Sequence, residues 1–237
     1  MNIDKILQKY AQGERNFSKF NLLEAEFINL NLSGANFSQA DMRQARLGRT
    51  NFSQCSFRGT DLSEAILWGT DLTEADFYQA VLREADLSGA KLIKANLEAV
   101  NLSKASLCGT NLSHAKLTNA ILFEVDLRPT SDQRTDLGKA VLIGADLSYA
   151  KLSQALICQA NFDGAKLCRA NLSTGIWQND CVTDLRAASF READLSYADF
   201  SGALLLNVDF SGADLTGTNL ANADLRGAIM PNGSVHE

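Results

Sequence analysis

Apolar residues recur along this chain at every fifth position. A large one, denoted i, stands at Phe17, Leu22, Phe27, Leu32 and Phe37, continues to Leu127, and resumes at Leu137. Two positions earlier, at i−2, the residue is small, as at Ala25, Ala35, Ala40, Thr50 and Cys55. Position i−1 favours Asp or Asn, and i+1 favours Ser, Thr or Arg. A period of five fits neither a helix nor a strand. It predicts a chain that turns a corner every five residues, with i and i−2 inward and the other three positions outward. Four such sides would close a coil of about twenty residues, the spacing kept by Phe17, Phe37, Phe57 and Phe77. Stacked coils then give each backbone N–H and C=O a partner above or below. The i−2 residue is small because a narrow corner has no room, and Asp or Asn at i−1 suits a turn by bonding nearby backbone.

Two stretches interrupt the beat. In "DLRPTSDQRTDL", residues 126–137, Asp132 stands where an apolar residue belongs, close to Pro129. The phase resumes at Leu137, so the coil is expected to continue while Arg128–Thr135 bulges outward. In "STGIWQNDCVTDLRAASF" the slots Leu172, Trp177 and Val182 give way to Leu185, Phe190 and Leu195, a shift of three residues. That places a short bulge near 179–183. At the N-terminus Ile3, Ile6, Leu7 and Tyr10 share one helical face, with Asn2 to cap and Gly13 to end the helix. The expected organisation is a capping helix over 1–13, repeats over 14–230, and a tail over 231–237 that leaves the ladder at Pro231.

Composition narrows the function. The chain is 46% apolar and 21% charged, enough to build a core. Its net charge is −6, and from Asp184 onward eight acids face three bases. Such a chain does not bind nucleic-acid phosphates by default. Five widely spaced cysteines form neither a disulfide framework nor a metal-ligand pattern. No stretch has the length of a membrane span and the N-terminus lacks a signal-peptide apolar region, so a cytoplasmic protein is expected. There is no nucleotide-binding glycine loop, zinc helix or nucleophile–base set. A coil filled by its own leucines leaves no pocket. Catalysis, cofactor and metal are therefore not expected.

Function then lies on the outer faces. On a regular twenty-residue coil Phe123 shares a column with Ile143, and the neighbouring column holds Val81, Ile121 and Val141. Ile121, Phe123, Val141 and Ile143 would form one apolar patch, beside a loop carrying Arg128, Asp132 and Arg134. Contiguous exposed apolar residues next to a charged loop have the character of a partner-binding site. The alternative is that branched residues at i−1 only strengthen the strands.

The units in "ADLSGAKLIKANLEAVNLSKASLCGTNLSHAKL" resemble the pentapeptide-repeat family, over roughly residues 15 to 230. The resemblance implies an all-β fold, a right-handed quadrilateral β-helix with a short N-terminal capping α-helix. It also implies a non-catalytic protein-interaction module. The length, N-terminal helix and uninterrupted early coils resemble those of cyanobacterial regulators of heterocyst differentiation. That implies a cytosolic regulator acting on a protein of the differentiation pathway, without direct nucleic-acid or membrane contact, as a monomer or a weak dimer through its C-terminal coil. Some members of the family imitate duplex DNA and bind DNA gyrase. The acidic C-terminal quarter fits this second reading, whereas the outward bases Arg43, Arg49, Arg58, Lys91, Lys94 and Lys104 oppose the one-signed field a mimic needs.

Overall fold

A computed structural model describes residues 3–174 and 181–237. The five-residue unit is explained by where its backbone donors go. In the unit 72–76, Leu72 N–H donates to Lys91 O at 2.7 Å and Glu74 N–H to Ile93 O at 2.9 Å, both in the next coil. Asp76 N–H donates to Cys55 O in the preceding coil at 2.9 Å, and Ala75 N–H closes the corner on Leu72 O at 3.1 Å. The fifth donor, Thr73 N–H, is taken by the side-chain Oδ1 of Asp71 at 3.0 Å. Every N–H of the unit has a partner, as a buried ladder requires. The Asp or Asn at i−1 is therefore the acceptor that completes the unit, and the same bond recurs at Asn21, Asn51, Asp86 and Asp146.

Parallel bridges join residues one coil apart, from Asn16↔Asn36 and Asn21↔Asp41 onward. Four units make a coil, and the four faces are named here by their first central residue: face I from Phe17, face II from Leu22, face III from Phe27 and face IV from Leu32. The central side chains are fully buried through most of the rod, with alanine or another small residue at the corners. On face I the rings of Phe17, Phe37, Phe57 and Phe77 stack at 5.7, 5.6 and 4.9 Å, as the spacing predicts. Phe162, Phe190 and Phe210 resume the stack at 4.8 and 5.7 Å.

Both interruptions depart from expectation in a way that matters for the surface. Asn111 bridges Asp136, whereas Ser106 one unit earlier bridges Asp126, so one pentapeptide is expelled between Leu127 and Leu137. The bulge is Arg128–Arg134. Thr135 is fully buried at an i−2 position and belongs to the coil. At the second interruption Leu156 bridges Asp184, whereas Lys151 bridges Asn171. The slot after Leu172 is thus Leu185, and the insertion spans more than the 179–183 bulge. Val182 is only partly buried and is no core slot. Trp177 lies outside the described residues.

The two insertions share one anchor. Thr135 Oγ1 accepts from Gly109 N–H at 2.9 Å and donates to Arg128 O at 3.0 Å, joining the feet of the first bulge. Thr183 Oγ1 accepts from Gln154 N–H at 2.7 Å and donates to Ser173 O at 2.8 Å, joining the feet of the second. Both insertions leave at the corner between faces III and IV.

The helix α1, Ile3–Ala11, seals one end of the rod. Ile6 is fully buried, Ile3, Leu7 and Tyr10 pack against the core, and Tyr10 Oη donates to Ser33 O at 2.9 Å. Gly13, at φ +96°, ends it: Glu14 N–H bonds Lys9 O and Gly13 N–H bonds Tyr10 O, both at 3.0 Å. The expected Asn2 cap lies outside the described residues. The C-terminus does not trail off. Residues 231–237 turn back, Ile229 bridges Val235 in the antiparallel sense, and His236 N–H bonds Ala228 O at 2.8 Å.

Candidate protein-interaction surface

The expelled pentapeptide moves every later residue round by one face. Phe123 stands on face II, between Ser103 below and Ser148 above, as the bonds Lys104 N–H to Phe123 O and Glu124 N–H to Ser148 O show. Ile143 stands on face I, above Thr118. Ile121 bridges Asn101 and Asp146, whereas Val141 bridges Lys116 and Asn161. Phe123 and Ile143 therefore share no column, and neither do Ile121 and Val141. The flat four-residue patch is replaced by two pairs on adjacent faces, Ile121 with Phe123 and Val141 with Ile143. Ile121 and Ile143 are exposed, while Phe123 and Val141 are half-buried. The bulge emerges a full face away from Phe123, at the far end of face III, so bulge and patch are not one site.

The charged residues of the bulge are largely engaged with the rod. Arg128 clamps Asp126 through Nε at 2.9 Å and Nη2 at 2.6 Å. Burial alone would raise the Asp126 carboxyl, but this clamp outweighs it and holds the group below its usual range. Arg134 donates to the carbonyls of Gln154 at 2.7 Å, of Ala155 and of Val182, tying the first insertion to the end of the second. Asp132 accepts from Ser131 and Thr130 at 3.0 and 3.2 Å within the bulge. With Gln154 and Cys181 the bulge lines a recess of about 240 Å³, below the ~300–1,000 Å³ typical of ligand pockets. Among the described residues no group of three or more His, Cys, Asp or Glu could hold a metal ion.

One feature was not read from the sequence. At Ile121 the i−1 carboxyl or amide is absent, and Phe123 N–H makes no bond among the described residues. The Phe123 ring instead meets Tyr149 edge-on at 5.6 Å. Tyr149, Arg169 and Tyr197 follow up the same corner, with the Arg169 guanidinium 6.0 Å from one ring centroid and 5.5 Å from the other. These residues sit at i+2, a position treated as generic surface; the aromatic pair Tyr149 and Tyr197 was the available signal. No described helix is long and apolar enough to cross a membrane.

The pentapeptide-repeat profile matches this chain over residues 15–128, 134–173 and 183–232, in eight copies. The gaps between matches fall on the two insertions. Among curated proteins no sequence matches. Among solved structures the chain is similar to HetL from the cyanobacterium Nostoc sp. strain PCC 7120, a pentapeptide repeat protein involved in heterocyst differentiation regulation, at 57% identity and TM-score 0.98 over 100% of both chains. It is also similar to QnrB1, a plasmid-mediated fluoroquinolone resistance protein, at 22% identity and TM-score 0.36 over 87% of this chain and 85% of that one. From the five-residue beat, the twenty-residue ladder, the profile match and the likeness to HetL, the chain belongs to the pentapeptide repeat family.

Proposed function

We propose that this protein is a non-catalytic cytoplasmic module that binds and regulates another protein in heterocyst differentiation. The observation that carries the reading is the full-length likeness to HetL at 57% identity and TM-score 0.98. The right-handed winding implied by the family resemblance belongs to the same reading. A second support is physical. The core is filled by the chain's own leucines, phenylalanines and alanines, so the outer faces are what the molecule can offer. Faces I and II break the polar rule together at Ile121, Phe123 and Ile143, with exposed Tyr149 against Phe123, and such apolar exposure marks contact surfaces.

The test has two arms in a heterocyst-forming cyanobacterium that carries this protein. Deleting or overproducing it is expected to change heterocyst frequency along filaments; unchanged patterns in both would overturn the regulatory reading. Affinity capture with the full chain is expected to retain a regulatory protein that is lost with Ile121→Asp. Gyrase as the retained protein, with inhibited supercoiling at micromolar chain, would favour DNA mimicry instead.

A further inference from the structure

Arg169 stands apart from the other arginines of the C-terminal half. Arg128, Arg186 and Arg226 each clamp the aspartate two residues earlier, at 2.6, 2.7 and 2.7 Å. Arg191 pairs with Asp163 at 3.4 Å, and Arg134 is spent on backbone carbonyls. Arg169 has no ion pair among the described residues; it lies between the rings of Tyr149 and Tyr197. Those rings are 46% and 58% exposed, among the most open large side chains of the rod. Gly217 makes room for one of them: a Cβ there would come within 2.7 Å of the Tyr197 ring. With Phe123 against Tyr149, the row crosses four successive coils.

At 6.0 and 5.5 Å the guanidinium is within cation–π range of both rings, and its N–H donors, the ones that match a carboxylate fork, make no hydrogen bond among the described residues. Lys166, on face II of the same coil, stands in the ladder between Asp146 and Asp194, so its charge is answered on the rod and Arg169 is the cation left without an ion pair among the described residues. A cationic group placed between the two rings would meet Arg169 head-on. An anionic one finds an unpaired fork flanked by apolar rings, the composition of an interface hot spot.

We propose that this row is a docking site for an acidic side chain of a protein partner. Arg169 takes the carboxylate, and apolar side chains on either side of it lie on Tyr149 and Tyr197. The proposal rests on the interaction-module reading and names the chemistry of the partner.

The probe is a pair of capped tripeptides, Phe-Glu-Leu and Phe-Gln-Leu, titrated into the full chain. The Arg169 Nε–Hε resonance is followed by NMR and assigned with Arg169→Lys. The Glu peptide is expected to shift it saturably, and the Gln peptide to bind at least about tenfold more weakly. Tyr149→Ala with Tyr197→Ala leaves the charge unchanged and is expected to weaken the Glu peptide several-fold. Equal response to both peptides, no response up to on the order of 10 mM, or full affinity without the tyrosines would each overturn the site. Cellular capture that depends on Ile121 but survives Arg169→Ala would remove this site and leave the module reading standing.

Discussion

At the scale of the residue, the corner imposes a conformation the sequence hides well. Position i+2 takes the left-handed region in the regular units, with φ of 61° at Lys19, 60° at His114 and 54° at Ala99. A side chain there costs ~1–2 kcal/mol relative to the right-handed region. The trace of this in the sequence is glycine, which recurs at i+2 at Gly34, Gly59, Gly69 and Gly89. Ala99→Gly is therefore expected to stabilise the rod, by up to about 1 kcal/mol after the entropy lost to a looser unfolded chain. Ala105→Gly, at a buried i−2 corner, removes core contact and is expected to cost about 1 kcal/mol. Urea unfolding of the two variants decides: equal losses in both would refute the corner argument. The i−1 acceptor gives a second contrast. Ile121→Asp supplies Phe123 N–H with an acceptor and is expected to leave stability unchanged or raise it by about 0.5–1 kcal/mol. If Ile121 serves a partner, the same variant loses binding while gaining stability. A large drop in its thermal midpoint would instead make Ile121 a structural strut.

At the scale of the element, the five-residue beat was legible and the arrangement of faces beyond residue 127 was not. The reason is arithmetic in the chain. Expelling one whole pentapeptide preserves the beat but turns all later slots by a quarter of the coil, and a reading of phase cannot see that. The beat alone therefore puts Phe123 and Ile143 in one column, while the ladder puts them on adjacent faces. The signal for where chain re-enters the coil was present in Thr135 and Thr183, each a threonine at i−2 whose hydroxyl joins the feet of an insertion. It had no meaning without the ladder, since Thr50 and Thr110 occupy i−2 in uninterrupted coil. Replacing Pro129–Arg134 by a single glycine rebuilds a regular unit from Leu127 to Leu137. The shorter connection and the lost Arg134 bonds act in opposite directions, so stability is expected to change by no more than about 1 kcal/mol. Thr135→Val is expected to cost about 1–2 kcal/mol, because it removes both bonds of a buried hydroxyl, while Gly109 N–H and Arg128 O keep their mutual bond at 3.1 Å. Denaturation midpoints with β-sheet circular dichroism check both. Loss of cooperative folding on excision would show that the insertion is part of the coil's stability rather than an appendage to it.

At the scale of the whole molecule the two ends of the rod are unequal. The first coil is closed: Phe17, Leu22 and Phe27 are at most 2% exposed, beneath α1. In the last coil Leu215, Leu220, Leu225 and Met230 are all partly open. The returning tail touches it only through Ile229 and its neighbours, which leaves three of its four sides without a coil above. In a solenoid each coil is held by the coils it touches, so stability declines towards an unsupported end. Local opening is therefore expected to begin at the C-terminus and to run inward. Amide hydrogen exchange reads this directly. Leu205 and Phe210 N–H, which bond Asp224 and Ile229 carbonyls in the terminal coil, should exchange faster than Leu87 and Leu92 N–H in the middle of the rod. Tyr197 lies one coil from that end, with its ring over Gly217. Fraying that reaches residue 217 would release the ring and loosen Arg169 beneath it, so the docking row would be set by the least stable part of the ladder. Uniform protection from Phe17 to Phe210 would mean instead that the tail closes the rod as firmly as the helix does, and that the row is as rigid as the core.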